Sequence, residues 1–182
     1  MKKDSKKNNA MLFGRVKILV FSALLCAISG VMKLIAPSMD VLRISLENFP
    51  IIFSGITMGP FMGGMVGIAA DLIGCLFRGY AVNPFITLAS MCVGIIAGIV
   101  YKFSKRTRIA ILIPTFTAHF LGNVIIKTIV LSQMFGMKFN ILLIERGITY
   151  FLTAIVEYVI LTVLLNNKAI KSGLKRAIGY EL

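Results

Sequence analysis

The chain has 182 residues, of which 58% are hydrophobic, and it carries a formal net charge of +13 and no Trp. Its mean hydropathy is +0.90. This composition predicts an integral membrane protein folded as one compact domain, with no room for a separate soluble catalytic domain. The three cysteines lie in apolar runs without a CxxC pair, so neither a disulfide framework nor a metal site is indicated.

Most of the positive charge lies in three clusters outside the apolar runs. Fourteen of the twenty Lys and Arg residues fall within residues 2–17, 102–108 and 168–176. The positive-inside rule assigns such clusters to the cytoplasm, where the anionic inner leaflet attracts them. Nucleic-acid binding is disfavoured, because the basic residues are not interleaved with aromatic ones. The N-terminal run lacks a small-residue cleavage signature, so we expect a retained tail and not a signal peptide.

The apolar runs predict an all-α membrane protein, with six transmembrane helices in a compact bundle and both termini cytoplasmic. We expect a single integral-membrane substrate-binding domain at 1–182, made of a helical bundle at 13–165 and cytoplasmic basic tails at 1–12 and 166–182. The first span runs from about residue 13 to residue 36. Lys33 lies near its outer end and is expected to snorkel to the membrane interface.

A parity argument fixes the middle of the chain. The first span leads outward to an exposed loop at 37–46, and the span at 84–101 must end inside, next to the second basic cluster. The stretch 49–77 therefore crosses the membrane an even number of times. We expect two crossings by helices that turn at 58–60, although the piece before the turn reaches only about 18 Å; a re-entrant hairpin is the alternative. The fifth helix is expected at about 109–131 and the sixth at about 140–165.

Small residues recur four apart within the apolar runs, a spacing that lets membrane helices approach closely. We expect most of these pairs to serve helix packing and not ligand binding. In the second, third and fourth helices the pairs are Gly55 and Gly59, Gly63 and Gly67, Ala70 and Gly74, and Gly94 and Gly98.

Polar residues in the last two spans fall on two stripes. Ionisable groups within a span cost several kcal/mol, so they usually face a cavity or a partner. Residues about four apart share one helix face, and two antiparallel helices joined by a short loop can set such stripes opposite each other. The result would be a polar pocket that opens outward, with two cations near its mouth. The fifth-helix stripe is His119, Asn123 and Lys127, and the sixth-helix stripe is Arg146, Thr149, Tyr150, Thr153 and Glu157.

Each member of these stripes also has a simpler interpretation. His119 is the single histidine and lacks a second ligand at metal spacing, which disfavours zinc and favours a hydrogen-bonding role. Lys127 and Arg146 either bind an anionic group or snorkel outward. Glu157 pairs with His119 or with another donor. Asp71, in the third helix, makes either a structural hydrogen bond or a ligand contact.

Three motifs in the middle of the chain carry a family resemblance. They are Arg43-Ile-Ser-Leu-Glu-Asn-Phe-Pro-Ile-Ile, Met58-Gly-Pro-Phe-Met-Gly-Gly-Met-Val-Gly and Ala70-Asp-Leu-Ile-Gly. With the length, the six helices and the basic tail, they resemble the substrate-binding S components of energy-coupling factor (ECF) vitamin transporters, and within these the folate-specific type. The resemblance covers nearly the whole chain.

This resemblance implies a subunit of a vitamin uptake transporter in the bacterial plasma membrane. The Ala23-xxx-Ala27 face of the first helix is similar to the surface through which S components dock on a transmembrane coupling subunit. Two ATPase subunits are implied to supply the energy. The S component is implied to bind vitamin from outside, with the loop at 37–46 as a gate, and to topple in the membrane for release inside.

Folate suits the pocket that the polar stripes predict. Its glutamate tail carries two carboxylates, which Lys127 and Arg146 can pair, and its pterin ring offers a flat aromatic face with hydrogen-bonding groups. No cofactor and no metal are expected. The remaining expected contacts are Arg43 or Arg78 for the carboxylates, Phe77 and Tyr80 for stacking, Asn83, His119 and Asn123 for the pterin, and Glu47, Asn48, Asp71 and Glu157 among the polar groups.

Three other functions stay open at this point. The chain could be an S component for another vitamin, such as thiamine, riboflavin or a biotin-like acid, that does not need both cations. It could be a small membrane enzyme acting on lipids, although no GxSxG, HExxH or P-loop motif is present. It could also be an autonomous proton- or ion-coupled carrier that uses Asp71 and Glu157, although no pair of repeats is evident.

Overall fold

The computed structural model describes residues 2–35, 46–104, 109–136 and 138–178, and all regular structure within these ranges is helical. The helix from Leu112 to Phe135 is continuous but changes its winding, so its three parts carry separate names. The helices are α1 (Lys2–Ile35), α2 (Phe49–Met58, after a 3-10 turn at Leu46–Asn48), α3 (Pro60–Arg78), α4 (Pro84–Ser104), α5 (Leu112–Ala118), a π-helix (His119–Ile126), α6 (Lys127–Phe135), α7 (Phe139–Asn166) and α8 (Lys168–Ile178).

Five of these helical stretches are long and apolar enough to cross a membrane. They agree with the predicted first, third, fourth, fifth and sixth helices. The predicted second helix exists as α2, but its 10 residues reach only about 15 Å, half of a hydrocarbon core of about 30 Å. The sixth crossing therefore stays a prediction. The five stretches are Val16–Ile35, Pro60–Arg78, Pro84–Ser104, Leu112–Met134 and Phe139–Asn166.

The short helix α2 is the centre of the bundle. Every residue from Phe49 to Thr57 is buried, and the helix packs against α1, α3 and α4. A helix that is apolar on all sides can be buried in this way without exposing a polar face. Its turn into α3 lies at Gly59, whose φ of +91° favours glycine, and Pro60 then begins α3. The predicted turn at 58–60 is confirmed.

Glycines bring α2, α3 and α4 into backbone contact. A Cβ built on Gly63 would lie 2.6 Å from the carbonyl oxygen of Gly94, and one on Gly98 would lie 2.6 Å from Pro60. Real side chains do not tolerate such distances, so glycine is required there. Gly63 and Gly98 therefore serve helix packing, as expected. Gly59 does not, because a Cβ there would meet no atom within 4 Å. That glycine serves the turn.

The two ends of the bundle differ in charge. One end, named here the site end, is formed by the last turns of α1, α3 and α6 and the first turns of α4 and α7. At the opposite end the predicted basic tail forms α8, which packs on α1 and α7 through the buried Leu174. The sequence analysis predicted this segment's charge but not its helix. Lys17, Lys102 and the cations of α8 all belong to this opposite end.

Candidate functional site

A first polar cluster, centred on the buried Asp71, joins α1, α3 and α4. Lys33 Nζ donates to Asp71 Oδ1 at 2.7 Å, and Thr87 Oγ1 donates to Asp71 Oδ2 at 2.7 Å. Both carboxylate oxygens are therefore engaged, and the Asp71 carboxylate has a cation beside it. We name Lys33, Asp71 and Thr87 the paired cluster.

The expectation that Lys33 snorkels to the interface is wrong. Its aliphatic stem crosses α3 at Gly74, where a Cβ would collide with it, and its ammonium group turns inward to Asp71. A buried carboxylate left without a partner is costly, so the ion pair outweighs an exposed position for the ammonium. Of the two alternatives for Asp71, the structure shows the hydrogen bonds to protein groups.

A second buried polar cluster joins the π-helix and α7. His119 Nε2 lies 2.7 Å from Glu157 Oε2, and Asn123 Nδ2 lies 3.2 Å from His119 Nδ1. Glu157 is 0% exposed, and the other two side chains are also buried. The ring of Tyr150 lies 5.7 Å from that of His119. We name His119, Asn123 and Glu157 the histidine cluster; it confirms Glu157 as the partner of His119.

The wider winding of the π-helix underlies this cluster. A π-helix is rare and is often found at functional sites, because it changes which side chains point into a bundle. Here it holds His119 and Asn123 on one buried face, as the spacing predicted, while Gly122 lets the segment approach Val93 of α4. Nothing in the residue spacing indicates the π winding, so sequence reasoning missed it.

Several buried polar atoms of the 3-10 turn before α2, the π-helix, α6 and α7 have no hydrogen-bond partner among the described residues. Buried polar groups in proteins are nearly always hydrogen-bonded, so a group of exceptions needs a specific cause. The carboxylate of Glu157 also interacts with the backbone of Phe49, which places the start of α2 beside it. The atoms are Asn48 Nδ2 and Oδ1, Asn123 Oδ1, Thr128 Oγ1, Arg146 Nη1 and Glu157 Oε1, with Thr162 Oγ1 further along α7.

The side chain of Lys127 is buried and does not extend outward to solvent. Its side chain is 8% exposed, and Nζ lies 3.9 Å from Glu47 Oε1, which is an ion pair beyond hydrogen-bond distance. Glu47 is itself held in place, because its backbone oxygen accepts a 2.6 Å hydrogen bond from Ser29 Oγ on α1. Lys127 and Arg146 therefore supply two cationic groups with spare donor capacity.

Of the residues predicted at the α3–α4 turn, Asn83 contacts the paired cluster, because its backbone oxygen accepts a 3.1 Å hydrogen bond from Thr87 Oγ1. Phe77 is 53% exposed and sits over Gly30 of α1, and Arg78 stacks on the exposed ring of Tyr80 at 5.8 Å. Asn83 caps α4, since its Oδ1 accepts from the backbone N–H of Phe85 and its Nδ2 contacts the sulfur of Met134. Arg43 and the loop at 37–45 lie outside the described residues.

The structure also shows an apolar groove that the sequence analysis did not predict. It lies between α5, the π-helix and α7, and it has a volume of about 450 Å³. Aromatic residues line it, with Phe116 and Phe151 edge to face at 5.6 Å, and His119 and Tyr150 form its polar side. Phe116 and Phe120 lie four residues apart and so share one helix face, and this sequence pattern could have predicted the groove.

The predicted docking face of α1 is accessible. Ala23 and Ala27 are both exposed on the side of the helix that does not pack against α2 and α3. Large apolar side chains, among them Leu24 and Ile28, are exposed around them. Such a surface is suited to lipid or to another membrane helix.

A model of one protein family, described as "ECF transporter, substrate-specific component", matches residues 17–171. This is most of the chain. The chain belongs to the substrate-specific components of ECF transporters. As an S component it is a membrane subunit of a transporter, and its all-helical fold is the fold of this family.

Relatives of this S component include proteins with known ligands. The folate transporter FolT of Clostridium novyi (strain NT) is 25% identical over 150 residues, which cover 79% of this chain and 87% of that protein. A crystal structure of FolT bound with folic acid is 26% identical, with a TM-score of 0.67, and the match covers 82% of this chain and 96% of that one.

Two further structures match in fold alone. ThiT from Listeria monocytogenes is 18% identical with a TM-score of 0.67, over 85% of this chain and 96% of that one. The S component of a bacterial ECF transporter is 20% identical with a TM-score of 0.60, over 84% and 97% of the two chains. Since FolT and ThiT superpose equally well, backbone shape does not select the ligand of this S component, and its side chains must.

Proposed function

We propose that this S component is the high-affinity folate-binding subunit of an ECF-type vitamin uptake transporter. It takes up folate from outside, and partner subunits hydrolyse ATP. The similarity to FolT supports the vitamin. The observation that carries the proposal is two cations near the site end, the buried Lys127 and the partly buried Arg146, with the hydrogen-bonding groups of the histidine cluster lying deeper.

The spacing of these groups suits an elongated ligand with two different ends. Arg146 and Glu157 are eleven residues apart on α7, or about 16 Å along the helix axis. Folate has two carboxylates at one end and a flat hydrogen-bonding pterin at the other. Its carboxylates would complete the hydrogen bonding of Lys127 and Arg146, and its pterin would meet the histidine cluster. We propose Tyr150 as the ring that packs on the pterin, in addition to the predicted Tyr80 and Phe77.

An S component for another vitamin, such as thiamine, is the rival, because the equal structural matches do not select the ligand. Thiamine is a cation without carboxylates, so it would leave Lys127 and Arg146 unpaired and add like charge to the same pocket. Burying an unpaired cation costs several kcal/mol. The two cations therefore favour folate.

The partners and topology belong to the same proposal. We propose six crossings with both termini in the cytoplasm of a bacterium, where the charged opposite end would face the anionic leaflet. Ala23 and Ala27 would dock on a transmembrane coupling subunit that carries two ATPases. The loop at 37–46, with Arg43, would close over the bound vitamin.

Calorimetric titration of the detergent-solubilised chain tests the ligand. We expect folate to bind and thiamine not to bind. Replacement of Lys127 or Arg146 by Ala should weaken folate binding by about 10- to 100-fold, the effect of removing a charged hydrogen bond of about 1.5 to 3 kcal/mol. Lys102→Ala is the matched control, because it removes an exposed cation at the opposite end and should leave affinity unchanged. Thiamine binding with no response to folate would overturn the assignment.

A further inference from the structure

Helix α8, at the opposite end from the candidate site, has an apolar face and a basic face. An α-helix turns once in about 3.6 residues, so residues three or four apart lie on the same side. The apolar face holds Ile170, Leu174 and Ile178, and the basic face beside it holds Lys168, Lys171, Lys175 and Arg176. A helix divided in this way is typical of a membrane surface.

The apolar face of α8 is already covered by the protein itself. Leu174 is 4% exposed, and Ile170 and Ile178 pack partly buried against the same core. These contacts hold α8 on α1 and α7. The apolar face is therefore not available to the acyl chains of a bilayer, and the surface that α8 presents to its surroundings is the basic face.

A local hydrogen bond fixes the place where α8 begins. Asn167 has an extended ψ of 122°, and its Oδ1 accepts a 2.9 Å hydrogen bond from the backbone N–H of Ala169. A side chain that bonds in this way caps the start of a new helix. Since α7 is long and apolar enough to span the membrane, α8 starts where the hydrocarbon ends and the lipid headgroups begin.

Positive charge is concentrated around α8. The cations of its basic face are exposed, except Lys171, which is partly exposed. Lys17 of α1 and Lys102 of α4 are exposed at the same end. The carboxylates whose side chains the structure describes lie at the site end or inside the bundle; they are Glu47, Asp71, Glu145 and Glu157. The region around α8 therefore attracts anionic groups.

We propose that the basic face of α8 binds the phosphate groups of anionic phospholipids, such as phosphatidylglycerol, in the leaflet at the opposite end. Juxtamembrane cations are attracted to an anionic leaflet, and the guanidinium group of Arg176 can hold a phosphate through two parallel hydrogen bonds. Most of α8 lies beyond residues 17–171, so the family assignment does not cover it. The inference rests on the proposed topology and not on the proposed vitamin.

Lipid titration of the detergent-solubilised chain, followed by native mass spectrometry, tests the proposal. The two lipids compared are phosphatidylglycerol and phosphatidylcholine with the same acyl chains. Each cation near an anionic surface strengthens binding about fivefold, so we expect a preference of at least about tenfold for phosphatidylglycerol. Binding of the two lipids within about twofold of each other would overturn the proposal. Displacement of phosphatidylglycerol by an equal concentration of soluble glycerol phosphate would also overturn it, since that would indicate a site for free phosphate.

A triple variant assigns the preference to the basic face. Lys168→Gln with Lys171→Gln and Arg176→Gln keeps residues that favour a helix but removes three cations. We expect the preference for phosphatidylglycerol to fall to within about twofold. Folate affinity should not change, because the candidate site lies at the other end of the bundle. Folate titration of the same preparation thus tests the proposed vitamin separately from the lipid.

A second triple variant with the same net charge is the matched control. Lys17→Gln with Lys102→Gln and Lys138→Gln removes three exposed cations outside α8. It should keep a preference of at least about fivefold, because the basic face is intact. Equal losses of preference in the two triple variants would show an effect of net charge alone and would overturn the proposal.

Discussion

The two polar clusters of this S component differ in how completely their groups are hydrogen-bonded. In the paired cluster both oxygens of Asp71 accept short hydrogen bonds, from Lys33 and from Thr87. In the histidine cluster Glu157 and Asn123 each keep a free acceptor. Buried polar groups stabilise a fold when all are satisfied and destabilise it when some are not. We therefore propose that the paired cluster serves the fold and that the histidine cluster serves ligand binding.

The helices around the two clusters differ in the same way. The paired cluster lies where α3 and α4 meet along glycine contacts too close for any side chain. The histidine cluster lies beside a π-helix and an apolar groove of about 450 Å³. Tight glycine packing resists rearrangement, whereas a groove and loosened winding leave room for a ligand. The molecule thus combines a rigid half with a half adapted to binding.

The largest effect on stability should follow from breaking the paired cluster. Asp71→Leu leaves the partly buried Lys33 ammonium without its hydrogen-bonded partner, which should cost about 1 to 3 kcal/mol. We expect a large drop in the unfolding temperature of the detergent-solubilised chain. The double variant Lys33→Met with Asp71→Leu removes both charges and should recover most of the loss. A single variant as stable as the wild type would show that the ion pair does not hold α1 on α3.

The glycine contacts of the rigid half should be nearly as sensitive. Gly94→Leu forces a side chain against the backbone of Gly63 and should lower the free energy of unfolding by about 1 to 3 kcal/mol or prevent folding. Gly147→Ala on α7 is the matched control, because a Cβ there meets no atom within 4 Å. A helical Gly→Ala change in open space should stabilise by about 0.5 to 1 kcal/mol. Thermal unfolding followed by size-exclusion chromatography measures both.

Substitutions in the histidine cluster should change folate affinity more than they change the stability of the protein. Glu157→Gln keeps the volume of the buried side chain and a hydrogen-bonding group at the same place, so we expect the unfolding temperature of the ligand-free chain to change little. Folate affinity should fall by about 10- to 100-fold. Measuring both on one preparation separates the two effects. A large loss of stability in the absence of ligand would place Glu157 with the paired cluster instead.

The smallest expected effect concerns the ion pair at the start of α2. Glu47 lies 3.9 Å from Lys127 and competes with a ligand carboxylate for that cation. Glu47→Gln should therefore leave stability nearly unchanged and raise folate affinity about two- to threefold, within the range of a weak ion pair. A calorimetric titration checks the sign. Weaker binding in this variant would mean that Glu47 contacts the ligand directly.

Sequence reasoning predicted the helices better than their contacts. Apolar runs and the turn at Gly59 and Pro60 set the helix positions, because hydrophobic length and backbone constraints are local properties. The inward turn of Lys33 depends on Asp71, thirty-eight residues away, and on the space over Gly74. No local pattern contains that information.

Only the part of the candidate site that depends on local spacing was predicted from the sequence. Residues four apart on one helix share a face, so the link between His119 and Asn123 was accessible from spacing, and the short loop before α7 favoured pairing with Glu157. The π winding and the free oxygens depend on how several helices pack. Asn83 was expected at the pterin, but its proximity to Pro84 makes it a helix cap, a role that its place before the helix could have suggested.

The proposed division between a rigid paired cluster and a ligand-binding pocket is tested most directly by comparing two double variants. Folate titration should show that Lys127→Met with Arg146→Met weakens binding by about 100-fold or more. Lys33→Met with Asp71→Leu should bind folate within about threefold of the wild type. Equal folate affinities in the two double variants would contradict the division, and with it the folate pocket.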